Sequence, residues 1–431
     1  MKLDSTIQEV SVIIPTHNRC DMLRETLTSL SSQSYPSQQY EVVIVADGCS
    51  DGTAEMVVSL QTPYQLRLCE IPWNGAAQAR NTGAGLAKGE LLLFLDDDIL
   101  AAPSLIEAHV NAHIQGEKQV VIGYLPVRLN NAKDYFSLEL LEWWEAMFDA
   151  ARLPSHRFKY SDLLSGNFSI TKDFFLRVGG FDPAFQVHED YELGIRLLKA
   201  DAIFRFEEKA WGFHDERSDL KRALERKRQE GIADVQLGQA YPDVIPALLM
   251  SRLIRYSLFP SRVLRVLAFD LPEFGDRLVI WFESWLVYLE RARSLGTWRR
   301  ILYGLLGYYY WRGVDERLGS TRGLKTFLNR HTPMPAPKDD ARLQLDIGQG
   351  LEVAEQILNE LRPESIEIVY NGELIGVIPS QAGSERLHGD HLRAIFGTDL
   401  AKSLLRTLAS ANTQGLPPAT RIRWLAEDRS R

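Results

Sequence analysis

The sequence predicts an α/β fold, a mixed sheet covered by helices, followed by a helical segment and a small α+β module. Three observations carry this. Short apolar runs, Val10–Ile14, Val42–Val45 and Leu91–Leu95, read as strands buried on both faces. Amphipathic stretches of helical length separate them, as parallel strands require. Beyond about residue 240 the chain turns basic and aromatic, and a strong hairpin signal, Asn371-Gly372, comes only near the end.

The 431 residues suggest two or three domains. We read residues 1–235 as the first domain, 236–330 as a basic aromatic-rich helical segment, 331–340 as a Pro-rich linker and 341–431 as the small module. A hydrophobic content of 45% and a charged content of 25% are ordinary for a globular protein. The net charge of −8 argues against nucleic acid as a partner. Cys20, Cys49 and Cys69 lack metal-ligand spacing and read as reduced thiols. The first residues lack the apolar run of a signal peptide. No uncharged apolar stretch reaches the roughly 18–20 residues that span a bilayer. The expected location is cytoplasmic, or peripheral on the inner face of the membrane.

Val10–Ile14 is the first strand and ends at Pro15. Thr16-His17-Asn18-Arg19 is a polar loop, and Asp21 caps a helix to about Ser31. Val42–Val45 empties into a Gly and Asp turn, residues 46–53. Leu66–Cys69 is a third strand and Gly75–Leu86 a small-residue helix. Gly83-Ala-Gly85 precedes a strand instead of following one, which rules out a dinucleotide fingerprint. Leu91–Leu95 then runs straight into Asp96-Asp97-Asp98. A helix over 103–115, a strand over 120–125 and an aromatic helix over 133–151 follow. Leu163–Ile170 reads as a strand with a Gly-Asn kink, and residues 179–183 as a turn. His188–Leu197 opens a helix with Glu189 and Asp190 at its N-terminus, where negative charge is stabilised. Ala202–Phe206 and Trp211–His214 read as two closing strands, and residues 215–230 as a solvated, charged helix.

Residues 243–330 carry more basic than acidic side chains, interleaved with Trp281, Trp285, Trp298 and Trp311. Such a segment either packs as a helical subdomain or lies in a membrane interface. After the linker, Ile366–Tyr370 and Leu374–Ile378 flank Asn371-Gly372. Helices over 350–361, 391–396 and 399–409 complete a module with no catalytic constellation.

Strands of a parallel sheet deliver their loops to one edge, where ligands bind. That edge collects Asp47, Arg80, Asp96 and Asp98, joined by Glu189, Asp190 and His214 from later in the chain. On an extended segment Asp96 and Asp98 share a face while Asp97 points away. Their oxygens select Mg²⁺ or Mn²⁺, which prefer diphosphate oxygens as further ligands. Asp190 suits the base that takes a proton from an incoming hydroxyl. His214 is either a further ligand or a satisfied structural histidine.

Five segments occur in order: Val12-Ile-Ile-Pro-Thr-His-Asn-Arg, Val45-Ala-Asp-Gly-Cys-Ser-Asp-Gly-Thr, Ala79-Arg-Asn-Thr-Gly, Phe94-Leu-Asp-Asp-Asp and His188-Glu-Asp-Tyr-Glu-Leu. Together they resemble a family 2 glycosyltransferase of the GT-A fold, over residues 8–235. The resemblance implies an inverting transfer from a UDP- or GDP-linked sugar to a glycan or lipid-linked acceptor, in polysaccharide or glycolipid biosynthesis. It implies a divalent cation, Mn²⁺ or Mg²⁺. It places Pro15, Thr16 and Asp47 at the nucleoside, Arg80 near the base or diphosphate and Asp96 at the ribose, with Asp97 in the same donor-binding group. It gives the metal to Asp98 and His214, the general base to Asp190 with Glu189 beside it, and the sugar and acceptor pocket to Gly166 and Asn167. The chain departs from the pattern at Ala46 and Ile99, where the family often has acids. Two other readings compete. A nucleotidyltransferase also uses Asp pairs and a cation, but it usually needs a glycine-rich loop after the first strand. A non-catalytic glycan-binding protein of the same fold has no use for a poised base.

Overall fold

The computed structural model describes residues 9–113, 118–128, 134–216, 219–255, 259–330 and 343–392, with residue 405. The chain forms two compact units. The larger begins with β1 (Val10–Thr16), α1 (Cys20–Leu30), β2 (Tyr40–Asp47), α2 (Thr53–Ser59), β3 (Gln65–Ile71), α3 (Ala76–Leu86) and β4 (Leu91–Leu95). The four strands lie parallel in the order β3-β2-β1-β4. Their side chains alternate between two cores. Val12, Ile14, Leu91, Leu93 and Leu95 enter one, and Ile13, Leu92 and Phe94 enter the other. Both faces are covered, which is why these strands are apolar at every position.

The sheet then turns mixed. β5 (Ile99–Ala101), α4 (Leu105–Ala112), β6 (Gln119–Tyr124), α5 (Tyr135–Ala151), β7 (Asn167–Thr171), α6 (Lys172–Arg177), α7 (Glu189–Lys199) and β8 (Ile203–His214) follow. The full order is β3-β2-β1-β4-β7-β6-β8-β5. β7 is antiparallel to β4 and β6, β6 is parallel to β8, and β5 is antiparallel to β8.

Several elements differ from the sequence reading. β1 does not stop at Pro15. Its pairing with β4 ends at Ile13, so beyond that point a missing donor costs little on that edge. Asp21 does not cap α1. Instead the Cys20 N–H donates to Asp51 Oδ2 in the loop after β2 (2.9 Å). The two closing strands are one strand, β8, whose pairing with β6 jumps from Glu207 to Trp211. The intervening residues bulge out, and their charge hid the continuity. β5 was not expected: three residues carry no periodicity, and only pairing with the end of β8 fixes them. β7 starts at Asn167 rather than at Leu163, and α4 stops at Ala112.

The helices α8 (Leu220–Ala240), α9 (Leu249–Arg255), α10 (Phe259–Phe269), α11 (Pro272–Arg291), α12 (Leu295–Leu318) and α13 (Thr321–Leu328) belong to the same unit as the sheet. α8 is longer than the charged helix expected over 215–230, and residue 235 lies inside it. It also has a buried side, because glycines bring it against α12. A Cβ on Gly231 would lie 2.2 Å from the Tyr310 carbonyl, and one on Gly313 only 1.8 Å from that of Arg228. Trp298, Trp311, Tyr308 and Tyr310 fill the core around this contact.

The smaller unit contains β9 (Leu343–Asp346), α14 (Leu351–Leu361), β10 (Ile366–Tyr370) and β11 (Glu373–Ile378). α14 connects the parallel pair β9 and β10, and β10 and β11 form the expected hairpin. Asn371 and Gly372 take φ of 50° and 82°, the signs a type I′ turn demands. The 331–340 linker and nearly all of the helices expected over 391–396 and 399–409 fall outside the described residues.

Two glycines of α12 should behave oppositely. Gly313→Ala must push α12 off α8 and should cost about 2–4 kcal/mol in denaturant unfolding. Gly304 has open space around it. Gly304→Ala should instead stabilise by a few tenths to about 1 kcal/mol.

Candidate active site

The loops after β1, β2 and β4 lie side by side. Thr16, the last residue of β1, donates from Oγ1 to Asp97 Oδ2 (2.7 Å). Arg19 Nη1 reaches Asp97 Oδ1 (2.9 Å) and Asp98 Oδ2 (3.0 Å). Thr26 Oγ1 donates to the Asp97 carbonyl. Asp97 is buried. Burial pushes its carboxyl up to about 6, against the pull of Arg19. The middle acid therefore fastens the loop to β1 and α1. Asp47 is equally engaged, accepting from the N–H groups of Asn74 (2.7 Å) and Gly75 (2.8 Å) just before α3. Pro15 lies half-buried next to Thr16.

Arg80 joins the two halves of the site. α3 approaches the sheet closely because Gly83 sits against Ile13, where a Cβ would come within 2.5 Å. Arg80 is consequently buried, 4% exposed. Its Nη2 donates to Asp96 Oδ1 (2.7 Å) and its Nη1 to Glu189 Oε1 (3.0 Å). Its guanidinium also lies 5.5 Å from the Phe181 ring centre. Burial opposes the charge, but Asp96 and Glu189 outweigh it and move the pKa up, so Arg80 stays cationic. Gly166 abuts the same carboxylate. A Cβ there would meet Asp96 Oδ2 at 2.9 Å, and its carbonyl accepts from the Asp96 N–H.

Asp190 follows Glu189 in the first turn of α7. Burial, then the neighbouring Glu189, push its carboxyl up to about 6, with His188 and Arg80 pulling the other way. Beneath it lies a buried chain of contacts that the sequence did not signal. His188 has a left-handed backbone, φ 63°, and stacks on Tyr191 at 4.2 Å between ring centres. Its Nδ1 is 3.4 Å from Asp234 Oδ1 on α8. Asp234 Oδ2 accepts from the Tyr310 hydroxyl on α12 (2.5 Å), which accepts from the Met250 N–H. The helical segment thus holds the start of α7 in place. Asp234 lies beyond the charged helix expected over 215–230, in the part of α8 that the sequence did not signal, and Arg19 lies in a loop that reads as merely polar.

Asp98 and His214 meet because β5 pairs Ile99 with His214. His214 Nε2 is 3.7 Å from Asp98 Oδ1. That is too long for a hydrogen bond. Among the described residues, Asp98 Oδ1 and the other ring nitrogen, His214 Nδ1, are buried without a hydrogen-bond partner. An oxygen and a nitrogen facing each other at this separation suit two ligands of one divalent ion, with bonds of about 2.1 Å. The Trp144 ring stands edge-on to His214, 5.4 Å between centres. Burial works against charge on His214, and Asp98 more than restores it, raising its pKa.

Asn167 takes a different place from the one expected. It is fully buried, donating from Nδ2 to the Ala210 carbonyl (2.9 Å) while Oδ1 meets His109 Nε2 (2.9 Å). Burial lowers the His109 pKa to about 4, so its imidazole is neutral. The Asn167 side chain ties β7 to β8 and α4, and Gly166 is the one of that pair whose Cβ position meets the Asp96 carboxylate.

Removing the Arg80 charge should be severe. Arg80→Met leaves Asp96 and Glu189 unpaired and should cost about 3–5 kcal/mol in denaturant unfolding at neutral pH. The deficit should shrink at acid pH, where protonation removes the repulsion.

Residues 11–179 match the family described as Glycosyl transferase family 2. Validoxylamine A glucosyltransferase from Streptomyces hygroscopicus subsp. jinggangensis is 28% identical over 278 residues, which cover 57% of this chain and 64% of that protein. Glycosyltransferase AglE of Haloferax volcanii is 40% identical over 98 residues, 22% of this chain and 32% of its own length. The chain spans less than two thirds of the length of these relatives. The solved structure of mannosyltransferase PcManGT from Pyrobaculum calidifontis, in complex with GDP-Man and Mn²⁺, has a TM-score of 0.46 and 18% identity over 73% of this chain and 89% of that one. Residues 11–179, which hold four of the five motifs, are thus similar to glycosyl transferase family 2.

Proposed function

We propose that this chain is an inverting glycosyltransferase that moves a sugar from a nucleotide-diphospho-sugar to the hydroxyl of a glycan or lipid-linked acceptor. The observation that carries this reading is Asp190. Its carboxyl is pushed up to about 6, a value suited to accepting a proton near neutral pH. It stands next to Glu189, whose bond to Arg80 ties it to Asp96.

The donor would lie along the ends of β1, β2 and β4. Pro15, Thr16 and Asp47 would border the nucleoside. Each Asp47 oxygen accepts one backbone N–H and keeps further acceptor capacity for a base. Asp96 would accept from the ribose while Arg80 fixes its orientation. Gly166 leaves room for the sugar beside Asp96. Asp98 and His214 would hold a divalent cation, Mn²⁺ or Mg²⁺. When bound, it would neutralise charge on the diphosphate leaving group. Glu189 has a positioning role: its carboxylate is occupied by Arg80, and its charge helps to raise Asp190.

The test is release of nucleoside diphosphate from a panel of UDP- and GDP-sugars with Mn²⁺. Asp190→Asn should lower kcat at least ~100-fold. In the native protein kcat/KM should fall as pH drops below about 6, because the base becomes protonated. Asp97 is shifted into the same range, so Asp97→Asn is the control and should keep that acid limb. Full activity in Asp190→Asn would remove the base assignment.

A further inference from the structure

The outer face of α11 combines exposed aromatic rings with arginines that have no partner among the described residues. Phe274, Trp281, Trp285 and Tyr288 recur at helical spacing, and Tyr288 is 65% and Trp281 50% exposed. Ile280 and Val287 extend the same face. Gly275, Val279, Leu286 and Leu289 are buried on the opposite side. The exposed rings are therefore not surplus core residues. They lie outside a helix that already has its own packing face.

Charge on this helix is sorted in the same way. Asp276 accepts from the Tyr308 hydroxyl, Glu283 from that of Tyr309 and Glu290 from the Tyr135 N–H. Three of its four acids are thus tied to internal donors, and Glu273 alone is left near the outer face. Arg277 and Arg291 on that face make no side-chain hydrogen bond or ion pair among the described residues. The same is true of Arg262 and Arg265 on α10, which packs against α11, and of Arg293 and Arg300 just beyond it. Residues 249–330 hold 14 basic and 7 acidic side chains in a chain of net charge −8. The local excess of positive charge is thus presented outward.

We infer that the α11 face docks on the surface of an anionic phospholipid bilayer. Amphipathic Trp and Tyr rings settle at the depth of the headgroups, and arginines beside them pair with lipid phosphates. No described helix is long and apolar enough to cross a membrane, so α11 would lie in the plane of the interface. Its 20 residues would lie along roughly 30 Å of membrane surface. Charge complementarity favours this occupant over a second copy of the chain, because a two-fold contact would set arginines against arginines. The surface stands without the transferase reading. If that reading holds, docking places the site near lipid-linked acceptors. Glu290 of α11 contacts the first residue of α5, and Trp144, against His214, comes nine residues later, about 14 Å along the helix.

The test is co-sedimentation of the whole chain with vesicles of phosphatidylcholine, with and without phosphatidylglycerol. Binding should require the anionic lipid and weaken at high salt. Two double variants, Trp281→Ser with Trp285→Ser and Arg277→Glu with Arg291→Glu, should each lower the partition coefficient at least ~10-fold. Both change exposed side chains, so the melting transition should not move. Failure to bind anionic vesicles at low salt would overturn the inference. So would equal binding by both variants, or a lipid-free dimer that the Trp281 and Trp285 changes dissolve. Because the readout is binding, loss of sugar transfer would leave the result intact.

Discussion

A buried arginine needs counter-charges, and Arg80 finds them in two places far apart in the chain. Asp96 directly follows β4, a strand of the parallel half of the sheet. Glu189 opens a helix after the sheet has turned mixed. Neither carboxylate would sit comfortably against the other without the guanidinium between them, and the guanidinium could not be buried with only one. The position of the loop after β4 relative to the start of α7 therefore follows from this one triad. The glycine at position 83 lets α3 come close enough for Arg80 to reach both.

The same logic extends outward. Asp190 is held by the start of α7, and that start is clamped by His188, Asp234 and Tyr310. A left-handed histidine is a costly backbone choice, and the stack on Tyr191 with the contact to Asp234 explains why it persists. The helices after residue 220 are thus more than an appendage. Through Gly231 and Gly313 they bring Asp234 and Tyr310 beneath the acid that we propose as the base.

Much of the fold was legible because β1, β2 and β4 are buried on both faces, which leaves unbroken apolar runs in the sequence. The hairpin over Asn371-Gly372 was legible because its turn demands positive φ. What resisted reading was anything fixed by tertiary pairing. Ile99–Ala101 becomes a strand only against β8, and that pairing brings Asp98 to His214. Residues near 210 bulge from β8 and mimic a break. At the site, the sequence located the loops but not their internal bonds. Asp97 turned inward to Thr16 and Arg19, and Asn167 into the sheet. A polar side chain reads alike whether it faces a ligand or a buried neighbour. Only the neighbour's position decides, and for Asn167 that neighbour is a histidine distant in sequence.

The central claim is that Asp96 and Glu189 act as one unit through Arg80. A double-mutant cycle with Asp96→Asn and Glu189→Gln, measured by denaturant unfolding at neutral pH, tests it most directly. A coupling of at least about 1 kcal/mol is expected between two carboxylates that share no bond except through Arg80, and it should reverse sign when Arg80→Met leaves them to repel each other. Additivity within about 0.5 kcal/mol would contradict it.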